Sequence, residues 1–125
     1  MEKLEISGLD SYPIDIDEGF RELDRLTCEV RRNRKTIFAV GNGASASMSS
    51  HFSADLAKNG KLHTEVFSDL SLITAISNDL GYSEVFAEPL RQRGNSGDML
   101  VCISSSGNSE NIISAIKAAR IFNMK

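Results

Sequence analysis

The stretch that decides the fold of this chain reads Asp98-Met99-Leu100-Val101-Cys102-Ile103-Ser104-Ser105-Ser106-Gly107-Asn108-Ser109. Its first half is a short apolar run typical of a buried strand, and residues 110–122 that follow place apolar side chains at helical spacing. A loop with four serines and a glycine therefore joins a strand to a helix. A helix N-terminus offers free N–H groups and about half a positive charge, which attract anions. The pattern predicts a phosphate-binding loop, with a plain helix cap at Ser109 as the alternative.

An earlier segment repeats this organisation. Residues 36–40 form a β-branched and aromatic run, and the loop Gly41-Asn42-Gly43-Ala44-Ser45-Ala46-Ser47 follows it. Apolar residues then recur at four-residue spacing up to Lys58 and predict a helix that Asn59-Gly60 ends. The sequence therefore contains two strand, loop and helix units with small and polar loop residues.

The other predicted elements complete an alternating order of strands and helices. They are an irregular lead-in over 1–13, an amphipathic helix over about 14–34, a short strand over 65–67, a segment over 70–80 that fits a short helix better than a strand, and a helix over 82–93 that tolerates Pro89 only with a distortion or an early break. This order indicates an α/β fold with a doubly wound, flavodoxin-like parallel sheet. We divide the chain into an N-terminal arm and helix, 1–35, and an α/β domain, 36–125.

The predicted strand order brings the two loops together. With the order 2-1-3, the strands over 36–40 and 99–103 are neighbours whose following helices cross to opposite faces of the sheet. Ligands bind such sheets in the crevice at the carboxyl ends of these strands. We therefore expect both loops to line one pocket.

Composition limits the class of protein. The chain has 125 residues, of which 41% are hydrophobic and 25% charged, and this fits one globular domain. Its net charge of -3 argues against a nucleic-acid surface, and the basic run over 31–35 suits a helix C-terminus. Long apolar stretches and signal-peptide patterns are absent, and Cys28 and Cys102 lack C-x-x-C spacing. We expect a soluble cytoplasmic protein with reduced thiols and with neither nucleic-acid nor membrane partners.

Four motifs, in this order and spacing, resemble the sugar isomerase (SIS) domain family and, within it, the phosphoheptose isomerase branch. The resemblance covers the chain from about Ile14 to Lys125. The motifs are Gly41-Asn42-Gly43-Ala44-Ser45, His51-Phe52-Ser53-Ala54-Asp55-Leu56, Ser77-Asn78-Asp79-Leu80-Gly81-Tyr82 and Ile103-Ser104-Ser105-Ser106-Gly107-Asn108-Ser109.

The resemblance implies a SIS-type fold and an aldose–ketose isomerase that converts sedoheptulose 7-phosphate to D-glycero-D-manno-heptose 7-phosphate through an enediol. It implies a homo-oligomer, commonly a tetramer built through the N-terminal helices. It also assigns roles to residues: a phosphate loop at Ser104, Ser105, Ser106 and Ser109; sugar contacts at Asn42, Gly43, Ala44, Ser45, Asn78 and Asp79; and a catalytic pair, also a possible zinc pair, at His51 and Asp55.

The chemistry of this pair agrees with its spacing. His51 and Asp55 lie four residues apart and hence on one helical face, as a metal pair or an acid/base pair requires. Asp55 would be the base or a metal-linked carboxylate, and His51 an electrophile or ligand. Read without the resemblance, His51 is a helix-face histidine and Asp55 a surface carboxylate.

The chain departs from the family pattern in two ways. The family's carboxylate is usually glutamate, and Asp55 is one methylene shorter, which retracts its oxygens by roughly 1.5 Å (compare). A misplacement near 1 Å can cost on the order of a hundredfold in rate. The chain also lacks the later strands of the family and the glutamine and histidine that complete the site, so we expect a fragment whose strand over 99–103 lies at an open sheet edge.

Two alternative functions stay open. One is a non-catalytic SIS module that binds a phosphosugar or a protein. The other is a dinucleotide-binding domain, because residues 41–46 satisfy G-x-G-x-x-A and Asp69 lies a suitable distance downstream. We expect no nucleotide cofactor, because a dinucleotide-binding domain has no use for the second serine loop.

Overall fold

The structure is a computed structural model and describes residues 5–8 and 11–125. Helices and strands alternate along most of the chain, as predicted. They are β1 (Ile6–Ser7), β2 (Pro13–Ile14), α1 (Ile16–Arg32), β3 (Thr36–Gly41), α2 (Ala44–Lys58), β4 (His63–Val66), α3 (Leu70–Leu80), a 3-10 turn (Tyr82–Glu84), α4 (Ala87–Arg93), β5 (Met99–Ile103) and α5 (Glu110–Ile121).

A parallel sheet with the order β4-β3-β5 forms the centre of the domain. Ile37 on β3 pairs with Thr64 on β4 and with Met99 on β5. Because β3 has a partner on each side and helices on each face, nearly all of it is buried, which suits its apolar run. The predicted order 2-1-3 of the three long strands is confirmed.

The helices cover opposite faces of this sheet, because successive strand residues point to opposite sides. One face packs Ile37, Met99 and Val101 against α1 and α2. The other face carries Phe38, Val40, Leu100 and Cys102 and packs against α3, α4 and α5. The sheet is therefore wound on both sides, as expected.

Helix α1 begins and ends where its charges predict. The Asp15 side chain caps its N-terminus by accepting a hydrogen bond from the N–H of Asp17 at 3.1 Å. Arg31 and Arg32 occupy its last turn, where cations stabilise the helix dipole. The basic run is therefore an exposed helix end, as predicted.

Three predicted segments differ from the structure. The lead-in over 1–13 contains a short antiparallel pairing of β1 with β2, while residues 1–4 and 9–10 lie outside the described part. The predicted strand over 65–67 is found over 63–66, and Phe67 is a core residue just beyond it.

The predicted helix over 82–93 is divided. Pro89 has no N–H with which to reach the carbonyl of residue 85, so a continuous helix would lack that hydrogen bond. The chain instead forms the 3-10 turn and restarts as α4, in which Pro89 is the third residue and needs no intrahelical donor.

The last described residue lies against the sheet. Lys125 donates its N–H to the carbonyl of Asp98 at 2.8 Å and accepts from the N–H of Leu100 at 2.9 Å. Its ammonium group pairs with Glu29 on α1. Among the described strands, β5 is an outer strand of the sheet, and Lys125 pairs with the start of its outer edge. Within residues 5–8 and 11–125, helices with the length and apolar character needed to cross a membrane are absent.

Candidate functional site

The two loops leave the sheet side by side. Gly41, the last residue of β3, pairs with Ile103, the last residue of β5. A Cβ atom on Gly41 would lie 2.9 Å from the carbonyl oxygen of Ile103 and 2.7 Å from the backbone carbonyl of Ser45. Only glycine allows the first loop to pass this close to β5.

The first loop turns sharply into α2. Gly43 has a φ of 55° and a ψ of -123° and lies at the N-cap of the helix without a capping side chain. The N–H of Ser45 donates a hydrogen bond to the carbonyl of Asn42 at 2.9 Å, and the N–H of Ala46 donates to the carbonyl of Gly43 at 3.0 Å. The N–H groups of Gly43 and Ala44 precede these bonds and stand at the positive end of the helix dipole.

The serine loop is held by its own hydroxyls. Ser104 Oγ accepts from the N–H of Gly107 at 3.1 Å, and Ser106 Oγ accepts from the N–H of Asn108 at 3.2 Å. Ser109 stands at the N-cap of α5, but its side chain makes no capping hydrogen bond. Ser109 is therefore the N-cap residue by position, as the alternative predicts, but its hydroxyl and the first N–H groups of α5 are left to an anion.

Side chains from three segments meet between the loops. Asn42 Nδ2 donates to Asn111 Oδ1 at 2.9 Å, and Asn111 Nδ2 donates to Asn42 Oδ1 at 2.8 Å. Tyr82 Oη also donates to Asn42 Oδ1, at 3.1 Å. The sequence placed Asn42 and Tyr82 in motifs but gave neither Tyr82 nor Asn111 a role, because amide pairing across 69 residues leaves no periodic signal.

A cavity of about 300 Å³ lies on the β4 side of the first loop. Its lining residues include Asn42, Gly43, Ser49, Ser68 and Tyr82. The serine loop does not contribute to the lining of this cavity, which therefore does not match the predicted pocket lined by both loops. The paired amides of Asn42 and Asn111 instead link the first loop to the first turn of α5.

Ser49 is the buried polar residue of this cavity. It lies on α2, and its hydroxyl makes no hydrogen bond with the described residues. A buried hydroxyl without a partner costs free energy, but Ser49 Oγ is inaccessible to solvent, so a molecule in the cavity would reach it only after a local shift of the helix or side chain. The sequence analysis missed Ser49, since a serine inside a helix carries no special pattern.

Asn78 and Asp79 lie at the exposed C-terminal end of α3. The Asn78 amide donates to Asp79 Oδ1 at 2.9 Å, so the two side chains face each other. Neither contributes to the cavity lining. Their predicted contact with a ligand stays a prediction.

His51 and Asp55 form a pair on the outer face of α2. His51 Nε2 lies 3.4 Å from Asp55 Oδ2, and the side chains are 84% and 57% exposed. The predicted shared face is therefore present, but neither residue lines the cavity. Their catalytic role stays a prediction.

The pair provides two donors for a metal ion. A zinc site requires four ligands, or three with water in the fourth position. Within the part of the chain that the structure describes, no group of three or more His, Cys, Asp and Glu residues could hold a metal ion. The described residues therefore do not complete a zinc site.

One thiol lies close to the loops. Burial raises the pKa of Cys102, on β5, to about 11. The thiol is consequently protonated at neutral pH, and it cannot serve the site as a thiolate nucleophile.

Comparison with known proteins gives a consistent result. A sequence profile described as SIS domain matches residues 15–125. The chain is 40% identical over 116 residues to a phosphoheptose isomerase of Helicobacter pylori, an alignment covering 88% of this chain and 60% of that protein. It is 44% identical over 100 residues to a phosphoheptose isomerase of Dechloromonas aromatica, covering 74% of this chain and 50% of that protein.

Solved structures show the same similarity. A phosphoheptose isomerase from Neisseria gonorrhoeae superposes with a TM-score of 0.78 at 40% identity, covering 83% of this chain and 56% of that one. One from Francisella tularensis superposes with a TM-score of 0.79 at 31% identity, covering 84% and 58%. The chain thus spans between 50% and 60% of the length of these relatives.

Proposed function

The chain belongs to the SIS domain family, and from this membership we propose that it carries the phosphosugar site of a phosphoheptose isomerase. The reaction would interconvert sedoheptulose 7-phosphate and D-glycero-D-manno-heptose 7-phosphate. The observation that carries the proposal is the pair of adjacent loops at the ends of β3 and β5, together with the 40% identity to a phosphoheptose isomerase.

In this proposal the serine loop anchors the phosphate. Ser104 and Ser106 already shape the loop through their bonds to backbone N–H groups. Ser105 and Ser109 are then the hydroxyls best placed to add donors to those of the α5 N-terminus. When the phosphate is held in a fixed position, its binding energy keeps the reacting carbons correctly oriented for proton transfer.

The sugar would extend from this anchor along the first loop towards the cavity. Asn42, Gly43 and Ala44 provide backbone and amide donors at the start of α2, and Ser45 provides its hydroxyl, since its N–H donates to the carbonyl of Asn42. Ser49 offers the cavity's unpartnered hydroxyl after a local shift. We place Asn78 and Asp79 at the outer end of the sugar, since they lie at the end of α3.

Proton transfer would fall to His51 and Asp55. Aldose–ketose interconversion needs a base at a carbon next to a carbonyl and a group that polarises or protonates the oxygen. Asp55 is the carboxylate for the first task, and His51, 3.4 Å away, suits the second. Among the described residues this pair provides two of the ligands that a zinc ion needs, so we assign no step to a metal ion.

A second function is favoured by the exposure of this pair and by the length of Asp55. Solvent-exposed charges interact weakly with a substrate, and the shorter side chain retracts the carboxylate. The alternative is a SIS module that binds a phosphosugar or a protein without catalysis. Its phosphosugar-binding form requires the same phosphate anchor, and neither form requires a role for Asp55.

We further propose a homo-oligomer, a tetramer by family resemblance, built through α1. Apolar side chains on this helix remain exposed, and Phe20 is 59% exposed although it continues the apolar stripe that buries Val30. Such a stripe is typical of a helix that packs between subunits. The free thiols of Cys28 and Cys102 support a reducing, cytoplasmic location.

Proton NMR with sedoheptulose 7-phosphate in heavy water, with and without zinc, tests the proposal. Deuterium entering the sugar, or an aldose signal, would support isomerase chemistry. Asp55→Asn should abolish either signal, whereas Asp24→Asn, a matched change on the exposed face of α1, should not. Asp55→Glu restores the family's length and is expected to raise the rate by up to about a hundredfold.

The remaining outcomes separate the alternatives. Shifts of the serine-loop amides without deuterium exchange would support the binding module. An absence of amide shifts at millimolar sugar phosphate would contradict both functions.

A further inference from the structure

One polar cluster is not explained by the roles assigned so far. It joins Asn42, at the start of the first loop, to Tyr82 in the 3-10 turn and to Asn111 in the first turn of α5. Tyr82 and Asn111 lie 40 and 69 positions after Asn42 in the sequence. All three hydrogen bonds converge on the side chain of Asn42.

The hydrogen-bond capacity of Asn42 is nearly exhausted. A carboxamide oxygen accepts two hydrogen bonds, and Asn42 Oδ1 receives one from Asn111 Nδ2 and one from Tyr82 Oη. Its Nδ2 donates one of its two hydrogens to Asn111 Oδ1. A ligand can therefore reach only one remaining Nδ2 hydrogen, and the carboxamide oxygen has no capacity for a sugar hydroxyl.

Because Asn111 is buried, its side chain is held in one orientation within this cluster. Asn111 is 2% exposed, and a buried amide that lost its partner would pay the full desolvation cost. Tyr82 is largely exposed and lines the cavity, so it closes the cluster from the solvent side. The cluster consequently holds the first loop between the start of α5 and the rim of the cavity.

We propose that Tyr82 and Asn111 are positioning residues for the phosphosugar, an inference that rests on the proposed function. They orient Asn42 so that its backbone and its single free Nδ2 hydrogen, with the N–H groups of Gly43 and Ala44, face the ligand. The two residues thereby set the distance between the first loop and the phosphate anchor. They act through Asn42 and do not themselves touch the reacting atoms.

Tyr82→Phe is the decisive variant, because it removes one hydroxyl and keeps the ring that lines the cavity. Tyr12→Phe is its matched control, since Tyr12 is exposed and distant in sequence from the cluster. Affinities of the full chain for sedoheptulose 7-phosphate and for inorganic phosphate would be measured by NMR titration. We expect Tyr82→Phe to lower the affinity for the sugar phosphate about tenfold. The affinity for inorganic phosphate should not change, because the variant does not alter the serine loop.

Asn111→Asp gives a second test with nearly the same side-chain shape. It replaces the donor to Asn42 Oδ1 with a carboxylate oxygen, so Asn42 must rotate, and it places a negative charge in the first turn of α5, beside the phosphate anchor. We therefore expect both ligands to bind more weakly, with a loss of sugar-phosphate affinity larger than that of Tyr82→Phe and larger than the loss for inorganic phosphate. The thermal midpoint of Tyr82→Phe should stay within a few degrees of the wild type. If Tyr82 had a purely structural role, Tyr82→Phe would instead lower the thermal midpoint and would reduce the affinities for sugar phosphate and for inorganic phosphate equally.

The side-chain amide signals of Asn42 provide a readout that needs no sugar. In the wild type they should be shifted from the values of exposed asparagines, and in Tyr82→Phe they should move towards those values. Unchanged Asn42 signals together with wild-type sugar affinity in Tyr82→Phe would overturn the inference. Failure of the wild type to bind the sugar while the Asn42 signals respond as expected would contradict the proposed function and leave the orientation of Asn42 by the two residues supported.

Discussion

Replacing Gly41 with alanine tests the close contact between the two loops. The added Cβ would lie 2.7 Å from the Ser45 carbonyl and 2.9 Å from the Ile103 oxygen, whereas ordinary contacts begin at 3.4 Å. Ser45 would therefore have to retreat by about 0.7 Å and Ile103 by about 0.5 Å, as in an overpacked core. Both neighbours are backbone atoms, which cannot rotate away as a flexible side chain could.

The expected cost follows from that displacement. Overpacking of this kind typically lowers the free energy of unfolding by about 1–3 kcal/mol. A shift approaching 1 Å in a binding site can also cost on the order of a hundredfold in rate or affinity. We expect Gly41→Ala to lose both stability and sugar-phosphate binding.

Urea unfolding and NMR titration with sedoheptulose 7-phosphate would measure the two effects. Gly8→Ala is the matched control, because its Cβ would meet only Ile14 Cγ2 at an ordinary 3.8 Å. If Gly41→Ala unfolds and binds like the wild type, the first loop does not pass β5 as closely as described, and the reasoning fails.

Three further changes have defined outcomes. In Gly43→Ala the added Cβ has no neighbouring atom within 4 Å, but the φ of 55° at this position is strained for alanine. Circular dichroism melts should therefore show a free energy of unfolding lower by about 1–3 kcal/mol. Asp98→Ala removes a buried carboxylate that accepts hydrogen bonds from two backbone N–H groups at 2.9 and 2.7 Å. Urea unfolding should show that the free energy of unfolding falls by about 2–5 kcal/mol, and a decrease below about 1 kcal/mol would contradict this account. Cys102, with its pKa raised to about 11, should react with a thiol reagent at pH 8 far more slowly than Cys28, and the rate should rise as the pH approaches 11; equal rates at pH 8 would refute the burial argument.

The parts of the fold that follow a local period could be predicted from the sequence. The apolar run of β3 predicted that strand to within one residue. The four-residue spacing of α2 predicted its end at Lys58, but the helix begins at Ala44, inside the segment predicted as loop. The 3-10 turn before α4 could not be placed, because Pro89 indicates an interruption but not its position. The pairing of β1 with β2 was missed, since two-residue strands are too short to show alternation.

The candidate site was only partly predictable for a related reason. Glycine and serine at two strand ends indicate adjacent loops, and the pairing of Gly41 with Ile103 agrees. The cavity on the β4 side, and the links of Asn42 to Tyr82 and Asn111, depend on side-chain packing between distant segments. Sequence patterns record local periods and leave such contacts unspecified.

The strand pairings that bring the two loops together also have a consequence for the order of folding. Pairing of β3 with β4 closes a loop of 27 residues, from Thr36 to His63, whereas pairing with β5 closes one of 62, from Ile37 to Met99. The longer closure costs about 0.7 kcal/mol more in chain entropy, so β3, α2 and β4 are expected to assemble before β5 joins. Pulsed hydrogen exchange should then protect the β4 amides before those of β5, and the phosphosugar site, which needs both loops, would be completed only in the last step of folding.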